Sequence, residues 1–428
     1  MSVNIKSTNI VKSLKILKGN TKVSVLSDPF WAIPYTLYNF YLSLYMKSLG
    51  VTDKQIGFLI AIEFIAGSII SLFSGVIVDI LGRKKSTLIF DLICWPLVMM
   101  VYFFANSFWM FAIGYFLHAF MRITLVSYNL MVVEDADNEQ RVTAFNLLNI
   151  ISIVAGVTTP LSGLLVKQIG IIPAERILLM FAAISTFIMM IVRNHYYVET
   201  KAGQEILNKQ KDKKLGTELL NAIKNGPYKN VFPALKKKPE LVLVICIFVL
   251  FNIYVTIAAH TSLYYVPYIT EVLKIDASAA SILGGINSVM MLIVNIFIIP
   301  VIIKYNTLKN MIWGLGFQAL SLFLFVSIPT SNFFAACTSV IFSAIGYSIF
   351  KPFVDAVLAE YTDGNERSGI YSLSYTIISI LTAVMGLVSG YIYDFNPRLL
   401  YIFSLFMLIA CIVILIILCK RMKIIHYY

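Results

Sequence analysis

Stretches of about twenty predominantly apolar residues recur twelve times along this chain, and no other feature limits its fold so sharply. An α-helix rises about 1.5 Å per residue, so about 20 such residues cross the roughly 30 Å of bilayer hydrocarbon. Approximate limits are 23–47, 55–81, 87–105, 108–133, 142–166, 175–193, 241–271, 277–303, 310–328, 334–359, 369–393 and 399–419. Within hydrocarbon each backbone N–H and C=O must find its partner inside the protein, and a helix achieves this within one segment. A soluble fold is excluded by composition: 13% of residues are charged and 59% hydrophobic, against about 25% charged in soluble domains. The expected fold class is an all-α membrane protein with twelve transmembrane helices. The first stretch is too long for a signal-peptide core and no small-residue cleavage site follows, so it reads as a retained helix.

The net charge of +12 belongs to topology rather than to nucleic acid. Twelve spans put both termini and the long polar segment 194–240 on one side. Of the 34 Lys and Arg residues, 26 fall on that side and six on the other, with Arg122 and Lys351 inside spans. Positive loops stay in the cytoplasm, so both termini are expected there, with the chain in the plasma membrane. Within 194–240 lie basic runs at 211–214 and 236–238. Leu215, Leu219, Leu220 and Ile223 share a helical face there, which fits either a helix on the membrane surface or a solvated linker. The five cysteines lie in apolar segments without metal-ligand or disulfide spacing. No P-loop is present, which disfavours an ATP-driven pump.

Six spans, a linker and six spans point to an internal duplication. A shift of 226 residues carries Glu134, Asp137 and Arg141, after the fourth span, onto Glu360, Asp363 and Arg367, after the tenth. The same shift carries Arg83 onto Lys309. The expected domains are a six-helix bundle at 1–193, a linker at 194–240 and a second bundle at 241–428. They would form two pseudo-symmetric halves around a central cavity.

Between the second and third spans the chain reads Gly75-Val-Ile-Val-Asp79-Ile-Leu-Gly82-Arg83-Lys84-Lys85. Gly75 permits close helix packing, Gly82 supports a tight turn, and a carboxylate with an arginine at helix ends can form a charge-assisted network. This run resembles the G-x-x-x-D-x-x-G-R-[RK]-[RK] signature of the major facilitator superfamily, and the span count and long central loop agree over the whole chain. The resemblance implies a secondary transporter that works by alternating access, with no cofactor, and not an enzyme. Expected partners are a small-molecule substrate, the lipid bilayer and protons, for a chain that acts as a monomer. It further implies a conformational latch of Gly75, Asp79, Gly82, Arg83 and Lys84 with Glu134, seven residues before Arg141, as acidic partner. In the second half Tyr305 and Leu308 stand where Asp79 and Gly82 would repeat. Thr159-Pro160-Leu161-Ser162-Gly163 keeps the Pro-x-x-Gly core of an exporter motif, which fits either export or a simple kink at Pro160.

Polar residues concentrate in spans one, four, seven and ten, which should line the cavity because lipid-facing helices do not tolerate them. Candidates are Tyr35, Tyr38 and Asn39 beside Trp31 on the first span, and His118 and Arg122 on the fourth. The seventh offers Asn252, Thr256, His260 and Tyr264 at steps of four. The tenth offers Tyr347 and Lys351, with Asp355 four further on, and the eleventh Tyr375. Asp28 and Asp91 lie nearer the span ends and read as structural. Glu63, midway along the second span, has two readings: a proton-coupling carboxylate, or a structural partner of Arg122. A facilitative uniporter or importer of the same fold is the nearest alternative, and two functions of another class compete, a membrane-embedded transferase and a non-transporting sensor. The first would need a cluster of acids, histidines or metal ligands at a membrane face, and the second usually an attached domain. The sequence displays neither.

Overall fold

The computed structural model describes residues 10–210, 239–361 and 367–425, and every regular element among them is helical. The basic runs at 211–214 and 236–238, the 215–223 segment and Asp363 lie outside the described residues, as do the side chains of Glu360 and Arg367. The second-half copy of the Glu134–Arg141 pattern therefore has no structural description.

Eleven helices among the described residues are long and apolar enough to cross a membrane. Asp53–Leu81, Ile171–Tyr196 and Pro397–Arg421 are representative. The first expected span is present in three pieces, α1 (Gly19–Ser27), α2 (Pro29–Asn39) and α3 (Leu42–Ser48), each too short to cross alone. Proline explains the first interruption. Pro29 has no N–H for the carbonyl four residues back, so a new helix starts there. The seventh span also differs from expectation: its helix, Pro239–Ala258, stops well short of residue 271. An irregular turn follows, then Tyr265–Pro267 and a π-helical turn at Tyr268–Val272. Two further π turns lie at Ile93–Leu97 and Val294–Ile298. The first contains Pro96, whose missing N–H again removes an α-type bond.

The described residues divide into two compact units. One comprises those of 1–39, 62–158 and 169–225; the other, those of 40–61, 159–168 and 226–428. In the first, Phe181, Ile184, Ile188 and Val192 form an exposed apolar stripe along one face of Ile171–Tyr196, as a bilayer-facing helix requires. In the second, the start of the helix Asp53–Leu81, residues 53–61, meets Arg367–Phe395 backbone to backbone. A Cβ on Gly57 would lie 2.4 Å from the Gly386 carbonyl oxygen and 2.9 Å from Gly390 Cα. Small residues allow such an approach where no hydrophobic effect drives helices together.

Candidate functional site

A pocket of about 300 Å³ lies within the first unit. Three mutually packed rings form one aromatic wall, and Tyr128 also lines the pocket. Trp31 and Tyr35, four residues apart on α2, stack with centroids 5.0 Å apart. Trp95 meets both edge-on at 5.0 and 5.5 Å. The π turn made by Pro96 carries Trp95. His118, the last residue of the helix Phe108–His118, packs edge-on against Trp95 at 5.0 Å and also lines the pocket.

Charge enters at two places. His118 Nδ1 lies 3.0 Å from Glu63 Oε1, and both side chains are mostly buried. Glu63 is thus not alone at mid-span, and its hydrogen-bonded partner is His118 rather than Arg122. The guanidinium of Arg122 lies over the Phe64 ring, 5.6 Å from its centroid, and packs beside Gly67. His118 and Arg122 do not occupy consecutive turns of one helix, because the chain breaks at Ala119–Phe120 before Met121–Val133 begins. At the other end of the pocket, Asp91 and Arg193 form a buried ion pair, with the Arg193 guanidinium over the rings of Tyr128 and Tyr197. Asp28, at the break between α1 and α2, also lines the pocket. Among the described residues its carboxylate makes no hydrogen bond or ion pair. Tyr38 is buried, at 3% exposure, and neither it nor Asn39 lines this pocket.

The second unit holds the remaining cavity candidates. Asn252 and Thr256 spend their side-chain donors on backbone carbonyls one turn back, those of Phe248 and Asn252. The expected four-residue series then fails, because the helix ends at Ala258. His260 falls in the irregular turn and pairs with Asn287 at 2.7 Å. Tyr264 is fully buried against Tyr393, with ring centroids 4.8 Å apart. Lys351 binds both oxygens of Asp355 at 2.7 Å and sits over the Phe248 ring. Phe248 meets Tyr375 edge-on at 5.8 Å, and Tyr347 stacks on Phe251 at 6.0 Å. Lys351 and Tyr375 thus meet at Phe248 while Tyr347 packs on Phe251, and His260 and Tyr264 touch neither ring.

A charged network surrounds Arg83. Its guanidinium binds Asp79 at 2.9 Å and both oxygens of Glu134 at 3.2–3.3 Å. The Arg83 side chain is 4% exposed and Glu134 14%, whereas Asp79 is 40% exposed, so the Glu134 contact is the less screened. Glu199 and Thr200, just after the sixth span, complete the arrangement. Glu199 accepts the backbone N–H groups of Arg83 and Lys84 at 3.2 and 3.0 Å, placing a carboxylate at the start of the helix Arg83–Leu92. Thr200 donates its hydroxyl hydrogen to Glu134. Lys84 binds the Tyr197 carbonyl and Arg141 the Val133 carbonyl. Gly82 has φ +85° and ψ 158°, and a Cβ there would meet Glu199 at 2.6 Å. Nothing approaches Gly75 within 4 Å of a Cβ position. Asp137 caps the next helix. The Gln140 backbone N–H and side-chain amide, both bonded to its carboxyl, hold that group below its ordinary value.

Several of these residues escaped sequence reasoning. Arg193 counts as a loop charge by position, yet it is buried in the helix Ile171–Tyr196. Trp95 carried one usable signal, its place before a proline within an apolar span. Glu175 is fully buried, and neither oxygen has a hydrogen-bond partner among the described residues. Glu199 lies in a segment that reads as plain linker.

Comparison with known proteins places this architecture. The family model described as Major Facilitator Superfamily matches residues 31–266 and 261–423. A mutant of the nucleoside transporter NupG has a similar structure, with a TM-score of 0.70 at 14% identity, covering 96% of this chain and 100% of that one. A D-xylose–proton symporter scores 0.70 at 13% identity, with 95% and 97% covered. The xylose transporter XylE from E. coli, in an inward open conformation, scores 0.66 at 15% identity, with 92% and 94% covered. Identities this low establish likeness of fold alone. No curated protein matches significantly by sequence. The family match over nearly the whole chain and the helical fold shared with transporters lead to one conclusion: this protein belongs to the Major Facilitator Superfamily and is a multi-pass membrane transporter, not an enzyme.

Proposed function

We propose that this protein is a proton-coupled secondary transporter of a small organic solute, working as a monomer by alternating access. Both termini lie in the cytoplasm and the chain sits in the plasma membrane, in keeping with the distribution of Lys and Arg. The carrying observation is that one side chain belongs both to the pocket wall and to an acid–base pair. His118 packs on Trp95 and is hydrogen-bonded to Glu63. A proton added to that pair changes its net charge by one beside the aromatic wall. Solute occupancy and proton occupancy therefore act on the same side chain, and each shifts the other's equilibrium.

The pocket favours a solute with a ring-bearing body, for which Trp31, Tyr35 and Trp95 supply the surface. Asp28, the one lining carboxylate with no hydrogen bond or ion pair among the described residues, feels the charge of Arg193 and favours a protonated amine on that body. The direction assigned is export. Pro160 and Gly163 follow the break at Thr158, and Gly163 packs so closely on Ser281 that a side chain would clash.

Reconstitution in liposomes tests the reading. Glu63→Gln should abolish accumulation driven by a pH gradient while leaving solute exchange intact. If the variant accumulates solute as the parent does, Glu63 does not couple protons, and its role is to position His118. A thermal-shift panel of ring-bearing amines and their neutral alcohol counterparts tests the solute class. Stabilisation by the alcohols alone would exclude the amine preference.

A further inference from the structure

A lateral groove of about 1120 Å³ runs along the first unit between the segment Lys18–Phe30 and the helix Ile171–Tyr196. Phe181, Ile184, Ile188 and Val192 form one wall, all at least half exposed. Leu26 and Phe30 stand on the opposite wall. From Phe181 to Tyr196 the helix rises about 22 Å at about 1.5 Å per residue. That equals one leaflet with its headgroup region, half of the roughly 40–45 Å of a whole bilayer.

The two ends of the groove differ. The Phe30–Phe181 end is apolar. At the other end Lys18 and Lys22 are exposed, and neither side chain is in an ion pair or hydrogen bond among the described residues. Asn20 closes that end by exchanging two hydrogen bonds with the Val198 backbone, at 2.7 and 3.0 Å. Asp135 and Gln140 also line it. Asp137 also acts on Lys18, so two carboxylates offset Lys18 and Lys22, and the exposed Lys15 just before them keeps that end net positive.

We propose that the groove is a binding site for one anionic phospholipid, with an acyl chain along the Phe181–Val192 stripe and the phosphate between Lys18 and Lys22. A soluble phosphate would use the lysines and leave the apolar walls unexplained. A zwitterionic lipid would use the walls and leave the lysines without a matching net charge. Only a lipid with net negative charge uses both, and juxtamembrane lysines attract such headgroups. Met189 and Arg193 line both this groove and the solute pocket, but the lipid contacts proposed here do not depend on how solute or protons are handled.

The test uses the full-length protein, delipidated in detergent, with phosphatidylglycerol or phosphatidylcholine of identical acyl chains. Native mass spectrometry counts retained lipid, and thermal unfolding measures stabilisation. One phosphatidylglycerol per chain should be retained, with affinity about thirtyfold above phosphatidylcholine, as two lysines near a headgroup supply. Lys18→Gln with Lys22→Gln should remove that preference. Lys304→Gln with Lys309→Gln, an equal charge change elsewhere, should keep it. Ile188→Trp, which fills the groove, should reduce retention of both lipids. Inorganic phosphate should neither stabilise the protein nor displace the lipid. Equal retention of the two lipids would mean annular lipid only and would overturn the proposal. So would loss of the preference in the Lys304/Lys309 control, or displacement by inorganic phosphate.

Discussion

Gly82 and Glu199 show how single residues hold the charged network. The backbone at Gly82, with φ +85° and ψ 158°, occupies a region that residues with a side chain avoid at a cost of about 1–3 kcal/mol. Glu199 fills the space where a Cβ would go. Gly82→Ala should therefore displace Glu199 from the N–H groups of Arg83 and Lys84. Transport should fall while expression and insertion persist; uptake assays beside fluorescence-detected chromatography check this. Arg83→Ala should be more severe. It strands Glu134 in a mostly buried place, a loss of about 3–5 kcal/mol for that conformation. Glu175 gives the opposite expectation. With no hydrogen-bond partner among the described residues, its carboxyl has nothing to lose to an amide, so Glu175→Gln should leave the thermal midpoint unchanged or raise it. A drop of several degrees would reveal a partner that the structure does not display.

At the scale of elements, interruptions place the chemistry. The Pro29 break exposes Asp28, the π turn at Pro96 carries Trp95, and the break at Ala119 separates His118 from Arg122. Hydropathy located these spans within a few residues, because apolar length is a local property of the chain. Register within a span was less legible. Steps of four in the seventh span assumed a helix to residue 271, but regular geometry ends at Ala258, and beyond it the periodicity no longer specifies a face. Pairing was the least legible. Arg122 is the nearest cation by depth to Glu63, yet His118 holds the contact, and side-chain reach across helices leaves no trace in spacing. The crossing at Gly57, Gly386 and Gly390 carries a further prediction. Gly57→Leu should force Asp53–Leu81 away from Arg367–Phe395 and lower thermal stability sharply. The more conservative Gly57→Ala should fall between Leu and the parent, as the 2.4 Å approach already excludes a methyl group without movement.

For the whole molecule, the charge count supports the proposed cytoplasmic placement of both termini, which is open to direct measurement. Cysteines placed at Lys18 and at Lys304 in a cysteine-free background should be protected from an impermeant thiol reagent in intact cells. One placed at Lys54 should react. Reaction at Lys18 would reverse the topology. By itself the sequence determined the membrane class, most of the spans and the signature that carries the family, because each depends on local apolar length or on a contiguous motif. The tertiary structure alone decided the rest. It joined Glu63 to His118, buried Arg193 against Asp91, gathered Trp31, Tyr35 and Trp95 into one wall, and brought Glu199 to the start of the Arg83 helix. Those contacts join residues up to 116 positions apart, and they form only when helices remote in sequence pack, since partners so distant are chosen by geometry rather than by any pattern along the chain.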